Sequence, residues 1–357
     1  MQLLLQQESE ISLPHMENFA IVLCGGGGAG RWQAGVLAAL AQQGVIERAR
    51  VISGTSVGGI NTGIFGLYGL TQGATSSLNP CPTPRWHQAV DVWESITKNS
   101  DGYKGDLTSL PGQIGSGVGL LAGSDCLLNP DPLHQKIDNI FGSLDMEAVS
   151  EISGVHLMIS AMDLNSQLEE FYTSFGPDRS MKISEAIKRT SALPVVFKSQ
   201  PGKDSAHPNA VHWHVDGGLA ANNPFLALNT YNRNFPGAQV KKVIIVYCYP
   251  DITTDIGIST STANDNTEYR MARDVALRSL GAVMNGQEQM AESVIIDKVK
   301  EAGWDVLALY PKNAPCDAIN FSKTILLQEG YDYAVAGKGY SYRDDATINI
   351  IDFLKRT

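Results

Sequence analysis

Basic residues are scarce in this chain: 27 Lys and Arg stand against 37 Asp and Glu, a net charge of −10. A chain that acidic repels a polyanion, which argues against binding nucleic acid by phosphate neutralisation. It also offers no general attraction to an anionic bilayer. Cysteine-pairing signals are missing too. Cys24, Cys81, Cys126, Cys248 and Cys316 are odd in number, and no two have the C-x-x-C spacing of a zinc or redox site. Reduced thiols in a cytoplasmic protein are expected. The N-terminal "MQLLLQQESEISLPHMENFA" lacks the basic start and apolar core of a secretion signal. No run approaches the roughly 20 apolar residues of a spanning helix. The expected location is therefore the cytoplasm, with any membrane contact peripheral.

The 357 residues, 43% apolar and 18% charged, have the composition of a globular protein with a large core. No internal repeat or break in composition divides them. The expected organisation is a tail over 1–17 and one α/β domain over 18–357, with a motif-bearing core at about 19–250 and an extension over 251–357. "NFAIVLCGGGGAGRWQAGVLAALAQQGV" reads as a buried strand (Phe19–Leu23), a glycine loop and a helix (about Trp32–Gln43). "ARVISGTSVGGINTGIFGLYGL" repeats that plan, with a strand at Val51–Ser53 and a turn at Ser56. Two such units in succession imply a parallel sheet with helices on its faces.

Further on, "WHQAVDVWESI" and "NPDPLHQKIDNIF" have helical periods, and "VHLMISAMDLNSQLEEFYTS" reads as two strands around a turn at Leu164–Gln167. "SEAIKRTSALPVVF" is a helix stopped by Pro194, and "HWHVDGG" a strand entering a glycine turn. A helix opening at Pro224, a strand in "KVIIVYCY", a helical run over 269–300, a strand in "WDVLALYP" and a helical "TINIIDFLKR" complete the pattern.

The run Gly25-Gly26-Gly27-Gly28-Ala29-Gly30 satisfies G-x-G-x-x-G between a strand and a helix. A dinucleotide site also needs an acid at the end of the next strand, and that strand ends in "VISGTS". No Gly-Lys-Ser/Thr follows, which excludes a P-loop. Glycines at a helix N-terminus leave backbone N–H groups unpaired and let the chain pass close to a reacting atom. Those donors, with the helix dipole, suit an oxyanion. Taken alone, a glycine cluster fits a tight strand–helix turn without a ligand better.

Ser56 lies between Gly54 and Gly58 in "GTSVG", directly after a buried strand and before a small-residue helix, the context of a nucleophile elbow. In a parallel sheet both glycine loops open at one carboxyl edge. Such a serine usually has a histidine to take its proton. Yet the seven histidines are His15, His87, His134, His156, His207, His212 and His214, and none follows Asp216. His156 begins a strand, where a partly buried structural role is expected.

"VHWHVDGGLAANNP" offers an acid instead. Asp216 ends a strand and precedes Gly217 and Gly218, and a partly desolvated carboxylate bonded to serine can act as general base. The segment alone fits an Asp that caps a turn equally well. His212, His214 and Asp216 also form an H-x-H-x-D array on one strand face, a possible set of metal ligands for a hydrolase. In a milder version of that reading, His214 tunes Asp216.

The blocks GGGGAG (25–30), GTSVG (54–58) and DGG (216–218), with "ISAMDLNS", "SALPVVF" and "DGGLAANNP" in the same order, resemble the patatin-like phospholipase family. The resemblance covers about residues 19–250. It implies a three-layer α/β/α fold with a mostly parallel central sheet, and hydrolysis of lipid acyl esters without metal or organic cofactor. It implies Ser56 as nucleophile, Asp216 as its base and Gly25, Gly26, Gly27 and Gly28 around the oxyanion hole, with Gly30, Gly54, Gly58, Gly217 and Gly218 in support. The family usually carries Arg or Lys where this chain has Ala29, and the nearest cation is Arg31. A lipid substrate and transient contact with a membrane surface are implied, with the loops at 66–84 and 105–128 as routes of access. A lipid-binding effector with a dormant site is the alternative.

Overall fold

The computed structural model describes residues 18–70, 85–105, 126–203, 208–250, 272–313, 316 and 319–356. The N-terminal tail and most of both access loops fall outside these. Among the described residues, ten strands form one sheet: β1 Phe19–Leu23, β2 Val51–Thr55, β3 His156–Asp163, β4 Leu168–Thr173, β5 Gln200–Gly202, β6 His212–Asp216, β7 Lys242–Val246, β8 Asp305–Leu309, β9 Lys338–Ser341 and β10 Ala346–Asn349. Their order is β10-β9-β8-β7-β1-β2-β3-β6-β5, with β4 on β3. The central pairs β8–β7, β7–β1, β1–β2 and β2–β3 are parallel. The outer pairs β3–β4, β3–β6, β5–β6, β8–β9 and β9–β10 are antiparallel.

Helices cover both faces. The helices are α1 Gly30–Gln42, α2 Val57–Tyr68, α3 Trp86–Glu94, α4 Asp131–Phe141, α5 Met146–Ser153, α6 Ile183–Thr190, α7 Gly218–Ala221, α8 Ala227–Asn234, α9 Ala272–Ala302, α10 Leu326–Val335 and α11 Ile350–Leu354. The pleat divides the strand side chains between two cores. Ile21 and Leu23 pack with α1 to α6, α10 and α11, while Ala20 and Val22 pack with α8 and the C-terminal part of α9. A strand covered on both sides must be apolar throughout, which is why "FAIVL" does not alternate. The result is the expected three-layer α/β/α arrangement.

The C-terminal "TINIIDFLKR" departs from its expected helix. Ala346–Asn349 pairs with β9 as a strand, and only Ile350–Leu354 is helical. Asn349 draws the boundary: its Oδ1 accepts the N–H groups of Ile351 and Asp352 at 2.8 and 3.3 Å, an N-cap that starts the helix there. The helix expected to open at Pro224 begins with a 3-10 turn, Pro224–Leu226, before α8. Helix α6 ends at Thr190, ahead of Pro194.

The strand registers position the site. β3 pairs with β4 from Met158 to Asp163, so one of its edges is filled over that span. Its other edge carries β2 up to the pair Thr55–Ser160, and then β6 from Ala161–Asp216 onward. β2 and β6 therefore share an edge of β3 and meet head to head, one residue apart in register. Asp216 reaches the carboxyl end of β2 from the opposite direction, on an antiparallel strand.

Candidate active site

Ser56 stands at that junction, between the end of β2 and the first residue of α2. Its φ of 56° and ψ of −127° lie in a region L-residues rarely enter, a conformation costing roughly 1–3 kcal/mol. Close packing holds it there. A Cβ on Gly54 would collide with the Gly58 carbonyl, and one on Gly58 with the Leu23 carbonyl, so larger residues would force the turn open. The Ser56 carbonyl accepts the N–H groups of Gly59 (2.9 Å) and Ile60 (3.1 Å), which starts α2 with its positive end at the serine.

The Ser56 hydroxyl donates to Asp216 Oδ2 at 2.6 Å, and Gly218 N–H donates to Asp216 Oδ1 at 2.8 Å. Asp216 is 2% exposed. Burial raises its pKa to about 6, against the lowering effect of the Ser56 and Gly218 bonds. A carboxylate poised there, bonded to a hydroxyl on a strained elbow, can take the hydroxyl proton as that oxygen attacks an electrophile. Gly217 lies against the Ser160 carbonyl, which brings the turn after Asp216 onto β3.

The glycine run passes beside the serine. A Cβ on Gly25 would lie 3.1 Å from Ser56 Cβ and collide with Asn222 Oδ1. Gly25 N–H is occupied, donating to the Asn222 carbonyl at 3.0 Å. Ala29 N–H donates to Gly26 O, and Gly30 N–H to Gly27 O and Gly28 O. Among the described residues, the N–H groups of Gly26, Gly27 and Gly28 have no such backbone acceptor. Gly30 packs against Val57, joining the start of α1 to the elbow.

Arg31 does not face the serine. It is 2% exposed, and its Nη2 donates to the carbonyls of Trp93, at 2.5 Å, and Ile96. The cation thus closes the C-terminal end of α3, and burial lowers its pKa.

The H-x-H-x-D array shares one face, as its spacing requires, but its members have separate partners. His212 Nδ1 meets Asp163 Oδ2 at 2.6 Å. His214, fully buried, meets Glu170 Oε2 at 3.1 Å and the Gln200 carbonyl at 3.3 Å. Burial would raise the Asp163 carboxyl, but bonds from His212, Ser166 and Asn165 outweigh it and hold the pKa at about 2. Among the described residues no group of three His, Cys, Asp or Glu side chains is placed to hold a metal ion. The hydrogen bonds described at the Asp216 carboxylate come from Ser56 and Gly218. His156 stacks on Phe235 at 4.7 Å among Phe175 and Tyr231, an aromatic structural role.

Three neighbours of the site were not singled out by the sequence. Thr190 Oγ1 accepts the Ser56 N–H at 2.8 Å, although its segment reads only as the end of a helix. Asn222, within "DGGLAANNP", binds Gly25 through its carbonyl and donates from Nδ2 to Glu288 at 2.9 Å. Glu288, on α9, is raised by burial to about 7. A lone Glu in a long helical run has no local feature that announces such a contact.

The patatin-like phospholipase family model matches residues 21–229, more than half of the chain. The chain belongs to the patatin-like phospholipase family, and membership supports lipid ester hydrolysis as its general activity. Among solved structures it is similar to VipD from Legionella pneumophila at 13% identity, over 95% of this chain and 69% of that one, with a TM-score of 0.38. It is also similar to human GIVD cytosolic phospholipase A2 at 10% identity, over 69% of this chain and 45% of that one, with a TM-score of 0.35. No curated protein sequence matches it. Among the described residues, no helix is long and apolar enough to cross a membrane.

Proposed function

We propose that the protein is a lipid acyl hydrolase of the phospholipase A or lysophospholipase type, working through a Ser56–Asp216 dyad. The observation that carries this reading is the 2.6 Å bond from Ser56 Oγ to a buried carboxylate at a strained strand–helix turn. Ser56 Oγ attacks the ester carbonyl carbon as its proton passes to Asp216 Oδ2, and the carbonyl π pair moves onto oxygen. Backbone N–H groups of Gly26, Gly27 and Gly28 stabilise that oxyanion; one such donor is worth about 3 kcal/mol of barrier. Collapse expels the alcohol oxygen, which takes the proton from Asp216 and leaves an acyl-serine. A water then loses a proton to Asp216, attacks the acyl carbon and releases the fatty acid, and the proton returns to Ser56. No step calls on a metal or an organic cofactor.

The test is hydrolysis of short- and long-chain p-nitrophenyl esters and phospholipid vesicles by wild type, Ser56→Ala and Asp216→Asn. Turnover by wild type alone is expected. Turnover that survives Ser56→Ala refutes the dyad. Vesicle binding without turnover in wild type favours the lipid-binding effector.

A further inference from the structure

The reacting pair stands where β2 and β6 meet head to head along one edge of β3. The β2–β3 register ends at Thr55–Ser160, so Ser56 lies beyond it. The β3–β6 register ends at Ala161–Asp216, so Asp216 is the final residue of its strand. The N–H of each finds its acceptor outside the sheet. Both acceptors come from one three-residue run at the end of α6. Thr190 Oγ1 accepts the Ser56 N–H at 2.8 Å, and the Ala192 carbonyl accepts the Asp216 N–H at 3.0 Å.

We propose that Thr190 and Ala192 are positioning residues for hydrolysis, a clamp at the end of α6 that sets the separation of Ser56 and Asp216 by holding both backbones from one rigid turn. This rests on the dyad reading above and adds to it the part that keeps the dyad together.

The clamp is built to transmit little motion. Thr190 is fully buried and Ala192 is 1% exposed. Ala192 N–H and Ser191 N–H bond back to the carbonyls of Arg189 and Ile187, which closes the turn on α6. Arg189, 3% exposed, ties the same turn outward through Tyr172 Oη (3.2 Å) and the Lys203 carbonyl (3.1 Å). On the other side Thr190 Cγ2 packs against α2: a Cβ on Gly59 would sit 2.6 Å from it. Ser56 needs such a hold because its side chain caps no N–H at the start of α2 and its φ is positive. If the Ser56 backbone relaxes, the hydroxyl swings away from Asp216. A displacement of about 1 Å at a reacting atom can cost about 100-fold in rate.

The experiment compares Thr190→Val, Thr190→Ala and Thr190→Ser with wild type in steady-state hydrolysis of p-nitrophenyl esters, alongside Ser56→Ala. Thermal unfolding and circular dichroism check folding of each. Valine keeps the shape and removes the acceptor; serine keeps the acceptor and removes the methyl group. The expected result is a kcat lower by about 10- to 100-fold in Thr190→Val with KM within about twofold, and recovery to within about threefold of wild type in Thr190→Ser. A lost fold contact alone would lower the melting temperature without separating kcat from KM in a folded sample. Should Thr190→Val not fold, Thr190→Ala against Thr190→Ser makes the same comparison. Serine as impaired as valine or alanine, or all variants at the wild-type kcat, overturns the clamp while inactive Ser56→Ala leaves the dyad standing. An active Ser56→Ala overturns both.

Discussion

Replacing Asp216 by Asn should make the protein more stable while abolishing its activity, by an amount that depends on pH. The carboxyl titrates at about 6 in the fold against an ordinary 3.8, with burial as the main cause. At about 1.4 kcal/mol for each pKa unit, holding it ionised in the fold costs about 3 kcal/mol. Below pH 3.8 the group is protonated in folded and unfolded chains alike, and the cost is absent. Between 3.8 and 6 the folded protein binds the extra proton, so this group lowers stability as pH rises through that window. Above 6 the full cost remains.

Asparagine removes the charge and keeps the bonds. Its Oδ1 can accept the Gly218 N–H, and its Nδ2 can donate to Ser56 Oγ in place of the present donation from serine. Urea unfolding of both proteins, followed by tryptophan fluorescence at pH 4 and pH 8, measures the effect. The Asn protein is expected to gain about 3 kcal/mol at pH 8 and about 0.5 kcal/mol at pH 4. A gain that is the same at both pH values, or an Asn protein less stable than wild type at pH 8, refutes the electrostatic reasoning.

The same titration predicts that kcat/KM for a neutral ester falls about tenfold per pH unit below about 6, as the base becomes protonated; a flat profile from pH 7 to 4.5 would exclude Asp216 as base. Gly25→Ala brings a methyl group onto Asn222 Oδ1 and towards Ser56, and ester turnover per folded molecule should drop at least tenfold. Arg31→Ala removes the side-chain donor from the carbonyls of Trp93 and Ile96, of which Trp93 keeps the Ile96 N–H, and should cost about 1–3 kcal/mol by urea unfolding. Its KM for a neutral ester should not move, because the cation faces α3. Val195, a β-branched residue held at φ 68° and 39% exposed, should give about 1 kcal/mol of added stability on replacement by Gly, readable as a raised melting temperature.

Much of this architecture was legible locally. A strand buried on both faces shows as an unbroken apolar run, and "FAIVL" and "KVIIV" are such runs at the sheet centre. The elbow showed through glycines that only a crowded turn requires, and the candidate base through an acid closing a strand before two more. Less visible was anything set by pairing. "TINIIDFLKR" has a helical period, yet its first half is a strand because β9 lies beside it. Arg31 lies two residues beyond Ala29, and only the rotation of α1 shows that it turns onto α3. Thr190 and Glu288 carry no spacing signal because their partners, Ser56 and Asn222, lie 134 and 66 residues away.

The family resemblance implied the three-layer fold and the pairing of Ser56 with Asp216. By themselves, the residue patterns determined a parallel sheet with helices on its faces, the position of the sharp turn at Ser56 and an acid closing a strand as a candidate partner. These follow from hydrophobic periodicity, from glycines at fixed offsets and from side-chain type, all properties of short stretches. Tertiary structure alone decided that Ser56 and Asp216 meet, because they lie 160 residues apart and only the change of partner along one edge of β3 brings their strands end to end. It also decided the pKa of Asp216, since burial, not the identity of neighbours in the chain, raises it to about 6.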